Sequence, residues 1–224
     1  MKRFIPLLFL TVFCSAQEQI EIVKDKGSAY FGVMKSFISL KQFNIALQEY
    51  SEKREWLETK PRLSNNMFAV TIGNGFFDSN KAYYDLNLFV SGNETTSGGY
   101  SNYGYSSRVF RINNWGLGFD YLITNERLFN QIYIGGSLRY SHLSFSSSST
   151  FDEQWQVNNS YVSLCPKIQF IPAFFKRRVF LDFQFNMPLN QINIKDLKKD
   201  LGTIKTSSYL WPCSFDTSLK VSLL

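Results

Sequence analysis

The sequence predicts an all-β fold: an eight-stranded antiparallel up-and-down transmembrane β-barrel with a short helix in its first long loop. Three observations carry the prediction. Apolar residues recur with a period of two in successive segments, long polar connections alternate with short ones, and an export leader stands at the front. A chain that crosses hydrocarbon must satisfy every backbone polar group internally, and strands do so only in a sheet that closes on itself.

The leader opens with Met1-Lys2-Arg3, continues as a mostly apolar run from Phe4 to Phe13, and leaves through small residues at Cys14-Ser15-Ala16 before Gln17. This places a signal peptide over residues 1–16, cut after Ala16, ahead of one domain spanning 17–224. Acylation of Cys14 is not expected, because that cleavage needs a small residue where the bulky Phe13 stands. The apolar run is too short for a membrane helix, and no other segment reaches the roughly 20 apolar residues such a helix needs.

Composition narrows the class further. Aromatic residues make up 17% of the chain and charged ones 19%, with a mean hydropathy of −0.17, a profile suited to strands with one greasy and one polar face. Loss of Lys2 and Arg3 with the leader takes the formal charge from +6 to +4. No basic face concentrates that charge, so no nucleic-acid partner is expected. The small excess suits contact with the anionic headgroups of outer-membrane lipid and lipopolysaccharide. Cys165 and Cys213 remain after cleavage, on opposite faces of strands separated by another strand, so no disulfide is expected. A single histidine and no cluster of Cys or carboxylate residues leave no metal or cofactor to predict.

The first strand falls at about Gly27 to Ser36, where neither phase of Tyr30, Phe31, Gly32, Val33 and Met34 is clearly polar. A helix follows it. Ser39 with Gln42 three residues later reads as a capping box, and Leu40, Phe43, Leu47, Tyr50 and Leu57 recur at helical spacing until Pro61. Its expected place is against its own barrel. In the second strand Phe68, Val70, Ile72 and Phe76 alternate with Ala69, Thr71, Gly73 and Gly75. The third is the clearest, since Lys81, Asp85, Asn87 and Ser91 oppose Ala82, Tyr84, Leu86, Leu88 and Val90.

Trp115, Leu117, Phe119, Tyr121 and Ile123 oppose Gly116, Gly118 and Asp120 in the fourth strand, whose small residues leave room inside a narrow barrel. The fifth sets Ile132, Ile134, Leu138 and Tyr140 against Gln131, Tyr133, Ser137 and Arg139. In the sixth, Val162, Leu164, Ile168 and Phe170 oppose Tyr161, Ser163, Lys167 and Gln169, with a bulge expected at Pro166. Val179 to Met187 and Phe215 to Leu223 complete the set. The closing strand resembles the C-terminal signal read by barrel-assembly machinery, except that Leu224 stands where an aromatic is usual.

An even strand count returns both termini to one side. The connections agree, with short turns at Asp78-Ser79-Asn80, Thr124 to Leu128 and Pro172 to Lys176, and long ones at Phe37 to Asn65, Gly92 to Tyr105, Ser146 to Gln154 and Leu189 to Ser207. Transmembrane barrels keep short turns in the periplasm and long loops outside. The Gly, Ser, Asn and Tyr content of Gly92 to Tyr105 is common to adaptable binding surfaces and to mobile loops.

The strand phases send Lys81, Asp85, Asp120, Arg139, Lys167, Asp182, Asp216 and Lys220 inward. Mixed charges in a narrow lumen should pair with one another, which leaves no wide aqueous pore. His142-Leu143-Ser144 puts an imidazole and a hydroxyl on one outward strand face near the outer rim. That arrangement resembles the His-x-Ser pair of lipid A 3-O-deacylases, which are small outer-membrane barrels. The chain departs from that pattern in having Phe145 after the serine, in the pair's distance from the C-terminus, and in offering only Asp152 and Glu153 of the adjoining loop as acids.

A broader resemblance spans most of the mature chain. The Ser15-Ala16-Gln17 exit, the helical first loop, Leu63-Ser64-Asn65-Asn66 and Gly73-Asn74-Gly75 look like outer-membrane β-barrel proteins of the Bacteroidota type, similar in size to small OmpX- and OmpA-like barrels. The resemblance implies outer-membrane localisation and no catalytic residue. The expected function is non-enzymatic: loop-mediated surface interaction with an extracellular protein or glycan, or an envelope-structural role, in a monomer. Two alternatives stand beside it, a lipid A acyl-ester hydrolase using His142 and Ser144, and a soluble, secreted lipocalin-like carrier with an apolar lumen.

Overall fold

The computed structural model describes residues 27–78, 81–124, 131–149, 155–172, 175, 178–203 and 207–223. The expected leader, Asp152, Glu153 and Leu224 lie outside the described residues. Eight strands form the barrel: β1 Ser28–Ile38, β2 Asn66–Phe77, β3 Ala82–Ser101, β4 Gly104–Ile123, β5 Ile132–Ser149, β6 Trp155–Phe170, β7 Val179–Pro188 and β8 Ser214–Ser222. Each pairs antiparallel with the next. β8 returns to β1, from Tyr30↔Ser222 to Ile38↔Ser214, and so closes the ring. Closure leaves no barrel edge at membrane depth with unpaired amides.

The two faces sort as the period of two requires. Leu86 and Phe183 are 59% and 44% exposed on the outside, while Asp85 and Asp182 between them are buried inside. Val33, Val70, Leu88, Leu117, Phe119, Leu164, Ile168 and Val221 continue the outer apolar band. Tyr84 and Tyr121, with ring centroids 5.2 Å apart, border it at one level, and Trp115 with Tyr140 at the other. Polar-aromatic girdles around an apolar band suit the two interfaces of a bilayer. A lipocalin-like carrier needs the opposite arrangement, so that expectation is corrected. β1 proves to follow the same rule, with Tyr30, Met34 and Ser36 inside and Phe31, Val33 and Phe37 outside.

Inward glycines make the space predicted for them. At Gly75 a Cβ would lie 2.2 Å from the Tyr83 hydroxyl, so only a bare backbone lets that ring cross the floor of the lumen.

Several local expectations are corrected. Ser39 does not cap the first helix: its amide donates to the Cys213 carbonyl and extends the sheet, so α1 runs Lys41–Glu52 from Leu40 without a side-chain cap. Gln42, the other half of the expected box, instead accepts from the Ser207 amide at 3.4 Å. Leu57 lies beyond the helix, on a short strand Leu57–Thr59 that adds to β3 at Gly99 and Gly98. Gly99 admits this strand because a Cβ there would stand 2.1 Å from the Trp56 carbonyl oxygen. Lys81 does not enter the lumen, since it sits exposed in the turn before β3 with φ +66°. Pro166 marks no bulge. It opposes Gly136 in unshifted register, and its missing N–H coincides with a gap in the ladder to β7 between Leu164↔Met187 and Lys167↔Gln184.

The largest correction concerns the second and third long connections. Gly92 to Tyr105 is β-ribbon that turns only at Asn102–Tyr103, and Ser146–Ser149 of the third connection belong to β5. β3 and β4 are each 20 residues long, about twice the 9–11 that cross a bilayer. Their outer halves therefore rise beyond the membrane as a sheet.

Candidate surface-interaction site

The lumen beneath that sheet is filled in layers. At the end of the barrel that carries the short connections, Tyr83, Leu122, Tyr133, Ile171 and Phe180 pack together with Phe77. Above them lies the charge network. Lys220 Nζ reaches Asp85 Oδ2 at 2.7 Å and Asp182 Oδ2 at 2.9 Å, while Lys167 Nζ pairs with Asp182 at 2.9 Å and with Asp120. The Tyr30 hydroxyl donates to Asp85 at 2.6 Å, and Gln169 Nε2 to Asp182 at 2.9 Å. A second layer centres on Asp216. It accepts from Arg139 Nη1 at 2.9 Å, Ser36 Oγ at 2.6 Å and Asn186 Nδ2 at 2.6 Å. The Arg139 guanidinium also lies over the Phe89 ring, 4.7 Å from its centroid.

All the expected inward charges except Lys81 are thus brought together, from strands far apart in sequence. A buried charge without a partner would be prohibitive, and this network partners both signs. It is a wall.

The outer mouth is closed by a second apolar cluster. α1 lays Phe43, Ala46, Leu47 and Tyr50 onto Phe110, Ile112, Leu143 and Phe145, with Phe43 stacked on Phe145 at 5.0 Å and Tyr50 meeting Phe110 edge-on at 5.3 Å. Asn44 clamps the returning chain by donating to the Leu63 carbonyl at 3.0 Å and accepting from its amide at 2.8 Å. The fourth connection adds α2, Lys195–Leu201, whose Leu197 and Leu201 join the same cluster, and Lys53 of the first loop donates to the Gly202 carbonyl. The helix expected to pack on its own barrel does so, as a lid.

Beyond the lid, the β3–β4 hairpin carries exposed aromatic side chains, Tyr103 and Tyr100 among them. Its turn is held by Ser101 Oγ, which accepts from the Tyr103 amide at 3.2 Å and donates to the Gly104 carbonyl at 3.1 Å. Trp56, Tyr100, Ser101, Asn102, Tyr103 and Ser106 line a recess of about 660 Å³ there. The Gly/Ser/Asn/Tyr composition fitted a mobile loop as well as a binding surface and did not single out this segment, and Trp56 was missed. Its position looked like the tail of a helix, and only the strand Leu57–Thr59 brings it to the hairpin.

His142 and Ser144 share a parity on β5, but His142 is half-buried and Ser144 is buried rather than facing outward. Each has a different partner. His142 Nδ1 lies 3.0 Å from Ser160 Oγ, which also accepts from the Tyr140 hydroxyl at 2.9 Å. Ser144 Oγ accepts from Gln156 Nε2 at 2.7 Å. The His142 ring packs on Trp115 at 5.3 Å, within the outer aromatic girdle. Cys165 and Cys213 are both free thiols. Among the described residues no group of three His, Cys, Asp or Glu side chains is placed to hold a metal ion.

A closed ring of eight antiparallel strands, with an apolar band outside and a charge network within, defines a transmembrane β-barrel protein. No protein-family model matches the sequence, and no curated protein does. Solved structures similar to it include the attachment invasion locus protein Ail of Yersinia pestis, at 12% identity and a TM-score of 0.47 over 89% of this chain and 97% of that one. A second structure of Ail, in complex with the heparin analogue sucrose octasulfate, aligns at 12% identity and a TM-score of 0.41 over 89% and 98% of the two chains.

Proposed function

We propose that this protein, exported by cleavage of residues 1–16 and resident in the outer membrane as a monomer, acts at the cell surface through its external hairpin and loops, and neither conducts solutes nor catalyses a reaction. One observation carries the reading: the lumen is filled from floor to lid, while the longest strands are spent on a sheet that stands clear of the bilayer. Extracellular protein or glycan is the partner class that such a surface meets. Acyl-ester hydrolysis by His142 and Ser144 is the competing reading. The separate partners of the two residues disfavour that pair, since a nucleophile and its base need to share a hydrogen bond.

Cells displaying the full-length protein are expected to adhere to extracellular matrix or to glycan-coated surfaces better than cells without it. Replacing residues 100–105 by a short Asn-Gly turn should abolish the difference. The purified protein should leave lipid A mass spectra unchanged and show no conductance steps in a planar bilayer. Lipid A that loses an acyl chain only while His142 is intact would reverse the assignment.

A further inference from the structure

The recess at the hairpin tip has features that the fold does not need. Tyr103 is 98% exposed and Tyr100 67%. A two-residue hairpin turn is served as well by Asn-Gly, so the Tyr103 ring adds nothing to folding that the turn requires. Two of the three rings are nevertheless held by packing, and the turn that carries the third is pinned. Tyr100 packs edge-on against Tyr105 at 5.2 Å, Trp56 packs against the apolar cluster of the lid, and the Ser101 bonds hold the turn.

Single exposed aromatics are ordinary on a protein surface, but here three converge on one hollow beside three small polar side chains. Among the described residues that line it, none is charged. Preorganised aromatic faces beside amides and hydroxyls match one kind of ligand chemistry. A pyranose ring presents a C–H face that stacks on Tyr or Trp, and an equator of hydroxyls that both donate and accept, as Asn102 and Ser106 do.

We propose that the recess between Trp56 and the β3–β4 hairpin tip is a binding site for an uncharged oligosaccharide, which deepens the surface-interaction reading and rests on it. Sugar rings stack on Tyr103, Tyr100 and Trp56, and their hydroxyls bond to Asn102 and Ser106. The volume lies within the range of small-ligand sites and accommodates a short oligosaccharide. A proline-rich peptide also uses aromatic grooves, but its prolines bring carbonyl acceptors without N–H donors and so leave half of the Asn and Ser capacity unused. Because stacking and neutral hydrogen bonds carry the recognition, affinity is insensitive to salt.

The test is calorimetric titration of the refolded full-length chain, in a detergent without a sugar headgroup, with maltotriose, mannotriose and triacetylchitotriose, and separately with a proline-rich decapeptide. At least one trisaccharide should bind saturably, with the same Kd at low and high salt. Tyr103→Ala should weaken it about tenfold. Asn102→Ala should weaken it too, and neither change should alter the heat-shifted gel migration of the barrel. Absence of binding by all three sugars, binding indifferent to Tyr103→Ala, or binding of the peptide alone would overturn the proposal. If cells still adhere while the trisaccharides fail, this site is wrong and the surface role stands; if adhesion also fails, both fall.

Discussion

Lys167 shows how much depends on a single side chain in a narrow lumen. It comes from β6 and neutralises Asp120 of β4 and Asp182 of β7, all three of them buried. Lys167→Met removes one cation: Asp182 keeps Lys220 at 2.9 Å, whereas the nearest cation left to Asp120 is Lys220 at 4.0 Å. The expected loss is about 3–5 kcal/mol, the cost of breaking a buried pair by deleting one member. Urea unfolding of the refolded barrel measures it, and the double variant Lys167→Met with Asp120→Asn should recover part of the loss. An unchanged midpoint in the single variant would mean that water reaches the network. The inward position of these charges was legible from parity alone. Their pairing was not, because alternation gives a residue's face and its height but not which strands meet across the axis.

At the level of elements, α1 and the outer halves of the long strands set the character of the surface. Leu47 is completely buried under the lid, so Leu47→Asp places a carboxylate in a dry site and detaches α1 from the mouth. Cleavage between residues 39 and 65 by an added protease should accelerate at least about thirtyfold, while the barrel keeps its heat-shifted migration. Protection equal to wild type would show that the loop is held elsewhere, for instance by Asn44. The helix was readable from its apolar spacing, yet its start and end were not. The Ser39 amide is taken by the Cys213 carbonyl, and Leu57 is drawn into the sheet by bare backbone at Gly98 and Gly99. Residues 92–105 read as loop for a physical reason. Once a strand leaves the bilayer both its faces can be wet, and the apolar alternation that marks it disappears.

The whole molecule is organised by its solvent. Leu88, midway between the aromatic levels and 45% exposed, faces lipid in this arrangement. Leu88→Arg should destabilise the barrel by about 2–4 kcal/mol when unfolding is followed in lipid vesicles, the cost of a cation near the bilayer midplane. A negligible effect would place that face in water and remove the membrane reading. By itself the sequence determined the strand count, the closed antiparallel order and the sorting of greasy and charged faces, because a period of two needs only neighbouring residues to be recorded. Tertiary structure alone decided which charges interlock across the axis, that the helix lies over the mouth, and that Trp56 lines one recess with Tyr100 and Tyr103. Those contacts join segments far apart along the chain, and local pattern carries no information about distances closed only when the sheet curls into a ring.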